Sequence, residues 1–260
     1  MTDLFLAQSR RVLDGLAHEL GCEPRQLTSE SLEVIARPTL AGPGKVALAA
    51  TCGLGTVLSV PAPLVDWVRD HAPTDRHFRA MQPFFLAEIA AEVDRSRLAP
   101  GATAHGFSLG FALSELLPAP PGPAGYALVP VDRDWMARYR PSKVFDNALG
   151  EPAELDRVEK TTRAFAMLDS AGAPAAVAGW WDDGHGRDEI GVDVRRDSRG
   201  LGLAKVVVIA ATHSILESGG TPFYSCGATN VRSHRNALAC GFLPVFLIGY
   251  VWAPGESASP

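Results

Sequence analysis

The chain is 260 residues long, enough for one large domain or two small ones. Its hydrophobic fraction of 47% can supply a packed core, and its net charge of −5 argues against a nucleic-acid binder, which needs a basic surface to neutralise phosphates. No apolar run approaches the ~20 residues that span a bilayer, so no membrane segment is expected.

The first predicted element is an amphipathic helix. Leu6, Leu13, Leu16, Ala17 and Leu20 fall near helical spacing, and Gly21 with Pro24 stops it. Residues 45–50 and 56–60 read as strands joined by Thr51-Cys52-Gly53-Leu54-Gly55, and residues 63–70 and 83–98 as helices. Next comes Pro118-Ala119-Pro120-Pro121-Gly122-Pro123-Ala124-Gly125, which can continue neither a helix nor a central strand. Residues 118–125 are therefore predicted to link an N-terminal α/β part, 1–117, to a C-terminal domain, 126–260. In that domain 126–131 reads as a strand, and 132–140 and 145–149 as helices. Residues 163–169 and 175–181 form a hairpin around Ser170-Ala171-Gly172. Strand 189–194, helix 203–217, strand 222–229, helix 231–240 and a final strand pair through 243–252 complete it. Residues 254–260 read as a frayed end. The expected fold class is α+β.

The chemistry concentrates in residues 188–242. The half-buried strand Glu189-Ile190-Gly191-Val192-Asp193-Val194 runs into Arg195-Arg196-Asp197-Ser198-Arg199-Gly200-Leu201-Gly202, and an apolar helix follows at once. Gly200 and Gly202 let backbone approach a ligand where a Cβ would clash. The helix start adds free N–H groups and the positive end of a dipole. Such a site holds a phosphate without a particular side chain, and Arg199 can add charge. An ordinary strand-to-helix turn is the bland alternative for so short a pattern. A dinucleotide fingerprint is a rival, but its third glycine falls on Lys205. Further on, Asn230 stands where a strand ends and a helix begins, a capping position. Gly241, before Phe242, is the expected stop of that helix.

Together these residues resemble the GNAT superfamily of acyl-CoA-dependent N-acyltransferases. Residues 197–202 match both glycines of that family's Gln/Arg-x-x-Gly-x-Gly/Ala loop and depart from it at Asp197. Asn230, Ser233, Gly241 and Phe242 match its later Asn-x-x-(Ser/Ala)…Gly-Phe pattern. The resemblance is good over about 175–250 and extends back to 126. It is thin in 1–117, which would be a degenerate GNAT-like half; a looser likeness points to the zwittermicin self-resistance branch. It implies a mixed central sheet flanked by helices, acetyl-CoA as acyl donor, no metal, and acetyl transfer to a primary amine of a small molecule. The pyrophosphate would sit on the N–H groups of Arg199, Gly200, Leu201, Gly202, Leu203 and Ala204. The pantetheine arm would run along Val192 and Val194, with strands 188–194 and 222–229 splayed to admit it. Asn230 and Ser233 would face the cofactor.

The family often carries a tyrosine, as general acid for the leaving thiolate, on the helix before Gly-Phe. Here that position is Ala237. Tyr224, Cys226 or His234 could substitute, or the thiolate could leave unaided, since a thiol pKa of about 8.5 makes it a tolerable leaving group. For the general base, Asp188 and Glu189 open the strand before the loop. Glu189 is preferred because it lies in the strand, with Asp193 on the same face. Burial would raise its pKa toward a working value. The alternative is a solvated hairpin rim that includes Asp182 and Asp183. The catalytic candidates are thus Glu189, Asp188 and Tyr224. Trp180-Trp181 reads as one ring in the core and one at the rim, with an acceptor-pocket wall as the functional alternative.

Gly106-Phe107-Ser108-Leu109-Gly110 matches the nucleophile-elbow pattern, which would make Ser108 the nucleophile of a serine hydrolase with His213 or His234 as partner. The residues before it, 100–105, do not read as the required strand. An acyl-CoA-binding protein that lost its acid at Ala237 is the non-catalytic alternative. Cys22, Cys52, Cys226 and Cys240 show no C-x-x-C spacing, and Met1-Thr2-Asp3-Leu4 lacks the features of a signal peptide. Reduced thiols in a cytoplasmic protein are expected. The 20 prolines and 25 glycines suit a bacterial source. The expected partner is a small amine, cationic in keeping with an acidic chain. No nucleic acid and no membrane are expected, and a homodimer is left open.

Overall fold

The computed structural model describes residues 2–37, 44–73, 77–150, 161 and 163–254. The predicted frayed end therefore lies outside the described residues, apart from Pro254. The chain forms two compact units. One gathers Met1–Val12, Phe111–Ser225 and Val231–Leu243; the other gathers Leu13–Gly110, Cys226–Asn230 and Pro244–Pro260. This division does not follow a single cut at 118–125, because the chain's first residues group with the first unit and its last with the second. Residues 118–125 hold no helix or strand.

The second unit receives the end of α1 (Asp3–Leu20) and continues through α2 (Pro24–Leu27), β1 (Leu32–Arg37), β2 (Gly44–Thr51), β3 (Thr56–Pro61), α3 (Val65–His71), α4 (Pro83–Arg95) and most of β4 (Thr103–Leu113). It also takes most of the last strand, β10 (Phe242–Ala253). The strand order is β1-β3-β2-β10, with β1 parallel to β3 and the other two pairings antiparallel. Phe85, Leu86, Ile89 and Val93 line one side of α4 and pack with Leu58, Val60 and Val68, as an apolar stripe on a helix must. The expected strand pair over 243–252 is one continuous strand. Gly249 is not a turn there: a Cβ would run into Phe107 and Leu86, so the glycine serves close packing. Gly110 in β4 likewise makes room for the Phe246 ring.

The first unit holds β5 (Ala127–Val131), α5 (Arg133–Tyr139), α6 (Asp146–Leu149), β6 (Arg163–Leu168), β7 (Pro174–Asp182), β8 (Asp188–Val194), α7 (Leu203–Glu217), β9 (Pro222–Gly227) up to Ser225, and α8 (Val231–Ala239). Its strand order is β9-β8-β7-β6-β5, antiparallel throughout except for the parallel β8–β9 pair. Asp132 caps α5 by accepting from the Trp135 N–H at 2.9 Å. Helix α7 buries Leu203, the whole run from Val206 to Thr212, and Ile215, which explains its nearly uninterrupted apolar sequence. On the other side of the sheet Gly179 and Gly191 are paired across β7 and β8. A Cβ on Gly191 would collide with the Asn147 carbonyl, and one on Gly179 with the Ala148 carbonyl. The glycine pair thus lets α6 lie directly on the strands. Asp193 fastens it there, accepting from Asn147 Nδ2 at 2.7 Å and from the Ala148 N–H at 3.0 Å.

Candidate functional site

The turn between β8 and α7 is clamped from one side. Arg195 donates from Nε to Asp197 at 2.7 Å, from Nη2 to Asp169 at 3.0 Å and from Nη1 to the Pro174 carbonyl at 3.2 Å. Asp197 also accepts from Ser198 Oγ at 2.8 Å. The residue that departs from the GNAT loop pattern is therefore spent on holding the turn. Both carboxylates are held below the usual carboxylate range. For Asp169 the main cause is the Ala173 N–H, followed by Arg195; for Asp197 it is the bond from Arg195.

Beyond this clamp the backbone opens. Gly200 and Gly202 have φ of +83° and +78°, a left-handed conformation that glycine adopts freely. A Cβ at either would meet no atom within 4 Å, so it is the backbone conformation, not close packing, that calls for glycine here. Gly202 is the N-cap of α7 and supplies no side-chain cap. Amide groups of the first turn are left to an external acceptor. Residues 199–202 are exposed, Leu203 is buried and Ala204 half-buried. Arg199 Nε donates to the Val194 carbonyl at 3.3 Å, holding the guanidinium beside the end of β8.

The strand leading into the turn is only partly paired. β8 and β9 are in register at Asp188↔Pro222, Glu189↔Phe223 and Ile190↔Tyr224, and their pairing ends there. β7 continues alongside β8 to Val194. The edge of β8 that carries Val192 and Val194 is thus free of β9 and can accept an extended ligand as an added strand.

The two carboxylates that open β8 point to opposite faces. Asp188 accepts from the Thr221 N–H at 3.0 Å, and its own N–H donates to the Thr221 carbonyl at 2.8 Å. It closes the turn between α7 and β9. Burial pushes its pKa up, and the charges of Asp182 and Asp183 add to this. Glu189 lies on the face of Gly191 and Asp193 and accepts from Ser225 Oγ on β9. Trp181 is its cross-strand partner on β7. The expected solvated rim is only half present. Asp182 is exposed, but Asp183 forms a buried ion pair with Arg187 at 2.6 Å, and that guanidinium lies 4.5 Å over the Phe223 ring. Trp180 is buried and stacked on Phe165, while Trp181 is half-buried.

Tyr224 is 1% exposed, with its ring between Phe111 and Phe242 at 6.0 and 5.9 Å. Its Oη lies 2.8 Å from Ser233 Oγ and accepts from Asn236 Nδ2 at 3.5 Å. Cys240 Sγ reaches Asn236 Oδ1 at 3.9 Å and the Lys205 carbonyl, in the first turn of α7, at 4.0 Å. Ala237 is fully buried, and the His234 ring packs edge-on against Phe111. Asn230 is exposed just before α8, its N–H bonded to the Gly227 carbonyl at 2.8 Å. Ser225, Asn236 and Asn147 were not singled out from the sequence, because lone polar residues at strand or helix positions carry no motif.

No family model and no curated protein matches the chain. Solved structures do. A GCN5-related N-acetyltransferase from Kribbella flavida is 16% identical with a TM-score of 0.49, the match covering 95% of this chain and 96% of that one. A GCN5-related N-acetyltransferase-like protein from Streptococcus suis is 18% identical with a TM-score of 0.46, over 62% of this chain and 67% of that one. A Drosophila protein is 14% identical with a TM-score of 0.53, over 98% of this chain and 90% of that one. The fold is α+β, a mixed sheet flanked by helices, and the likeness to these structures is one of fold alone.

The nucleophile-elbow match has no support in this fold. Ser108 lies inside strand β4, whereas an elbow needs a sharp strand-to-helix turn. The serine-hydrolase alternative is set aside on that ground. Among the described residues no helix is long and apolar enough to cross a membrane, and no cluster of three His, Cys, Asp or Glu side chains is placed to hold a metal.

Proposed function

We propose that the chain transfers an acyl group, in the first instance acetyl, from its coenzyme A thioester to a primary amine of a small molecule. The observation that carries this reading is the continuity of two open features. The free edge of β8 begins where β9 parts from it and runs straight into the uncapped glycine turn. An extended pantetheine arm suits the first and a pyrophosphate the second. The donor supplies an activated acyl carbon; the chain's own residues bind, orient and move protons. The N–H groups from Arg199 to Ala204 hold the diphosphate, and Val192 and Val194 bond the arm through their backbone. Backbone N–H groups of β8 can polarise the acyl carbonyl. Glu189, oriented by Ser225, takes the proton of the attacking amine from the opposite face of the sheet. Glu189 is preferred to Asp188, which braces the α7–β9 turn through Thr221.

A non-catalytic acyl-CoA-binding protein is the second reading, favoured by Ala237 in place of a helix-borne tyrosine. Calorimetric titration with acetyl-CoA and turnover with a panel of primary amines separate the two. The phosphate turn itself is tested by Gly202→Val. Its side chain would enter open space, so the fold should survive at a strain cost of roughly 1–2 kcal/mol, while acetyl-CoA binding should be lost. Binding as tight as that of the parent chain would remove the basis of this assignment.

A further inference from the structure

We infer that Trp181 is the residue that selects the acceptor. Its indole and the Glu189 carboxylate together bind an aliphatic primary amine as the charged ammonium, and discriminate against a neutral molecule of the same shape. The inference rests on the acyl-CoA reading above and deepens it at the acceptor side. Trp181 on β7 and Glu189 on β8 are direct cross-strand partners. Such partners share a face of the sheet and carry their Cβ atoms about 5 Å apart. Both are half-buried, so ring and carboxylate border solvent side by side. The lean of the ring is also fixed. A Cβ on Gly191 would come within 3.2 Å of Trp181 Cζ3. The six-membered ring of the indole therefore lies along β8 from Glu189 toward Gly191, where the missing side chain makes room for it.

The neighbouring strand shows what a carboxylate and an aromatic ring do together in this unit. Phe223 is the partner of Glu189 on β9. The Arg187 guanidinium lies 4.5 Å over the Phe223 ring and is paired with the Asp183 carboxylate at 2.6 Å. That cation belongs to the chain and is enclosed, Arg187 being 3% exposed and Phe223 4%. Glu189 and Trp181 repeat the carboxylate and the ring, and here solvent reaches both. A ring face attracts a cation through its quadrupole, most strongly in tryptophan. A carboxylate attracts it by charge and accepts its N–H. A hydroxyl in the same place gains little from either. The pair therefore suits an ammonium whose first carbons lie on the indole and whose nitrogen meets Glu189, the group that takes its proton. An arylamine, uncharged near neutrality, lies outside this class.

The experiment follows Trp181 directly and does not need the natural acceptor. The chain is labelled with fluorotryptophan, saturated with coenzyme A, and titrated with n-butylamine or with n-butanol, its neutral counterpart of equal length. The Trp181 fluorine resonance is assigned by its loss in Trp181→Phe. It should shift saturably with the amine and stay in place with the alcohol. Ligand-detected NMR then gives the affinity of each variant. Trp181→Leu, which keeps apolar bulk without a ring, should bind n-butylamine roughly 2- to 30-fold more weakly, and Trp181→Phe should fall between. A Trp181 resonance that the amine leaves unmoved overturns the inference. So does n-butanol binding as tightly as n-butylamine, or Trp181→Leu binding the amine as tightly as the parent. Each of these outcomes leaves coenzyme A binding intact, whereas failure of coenzyme A to bind the parent chain overturns the reading beneath.

Discussion

Glu189 has two carboxylate oxygens, and Ser225 on the neighbouring strand engages one of them. That bond helps to set the rotamer. Glu189→Gln keeps the shape and the acceptor for Ser225 but cannot take a proton. Its amine acetylation rate is expected to fall by ~10²–10⁴-fold, with calorimetric affinity for acetyl-CoA unchanged. Steady-state assays with spermidine, glucosamine and lysine as acceptors check this. A rate within threefold of the parent would mean that some other group takes the proton. Glu189 could be named from its place in the strand, but its partner could not, because diagonal neighbours on parallel strands depend on register. The same limit hid the hydrogen bonds around Asn236. Asn236 is one polar residue on a short polar helix, and only the fold brings Tyr224 and Cys240 to it.

At the scale of elements, the best-read stretch was the one whose local and tertiary requirements coincide. Helix 203–217 and the strands on either side of it were legible because their periodicity is unbroken and their ends are marked by glycine. Strands β1 and β4 were missed. β1 is short and lies between a serine cluster and Pro38, and β4 contains glycines that signal a turn locally but seat an aromatic ring in three dimensions. The Gly179–Gly191 pair is a further instance, since nothing in a single strand shows that α6 will press on it. Gly191→Ala should lower stability by about 2 kcal/mol or more, because the Asn147 carbonyl must be displaced; the urea midpoint reads this directly. The turn clamp gives a pH dependence with a defined sign. Asp169 and Asp197 are held below the unfolded carboxylate value of about 3.9. Their contribution is therefore complete above that pH and is lost as the pH falls through their lower folded values. Asp188 and Asp193, raised by burial, act in the opposite sense: their contribution is present below the unfolded value and is lost as the pH rises through their folded values. Arg195→Met removes the partner shared by the first pair. Its melting temperature should fall less steeply than the parent's on acidification below about pH 4, and an unchanged slope would deny the clamp its role.

At the scale of the whole molecule, the two units differ in the one passage that matters for binding. In the first unit, β8 enters a fifteen-residue helix through a turn with glycines at 200 and 202. In the second, β3 enters the seven-residue α3 through Pro61-Ala62-Pro63-Leu64. Pro61 and Pro63 have no N–H, and none of these four residues is glycine, so the passage cannot cradle a diphosphate as the glycine turn can. On the proposed acyl-CoA reading the chain should therefore bind one coenzyme A, at the glycine turn of the first unit. Calorimetric titration with acetyl-CoA is expected to give a stoichiometry near one, and Gly202→Val should abolish the entire heat. A second binding event that survives in Gly202→Val would place a donor site in the second unit and would contradict its reading as a half without a phosphate turn.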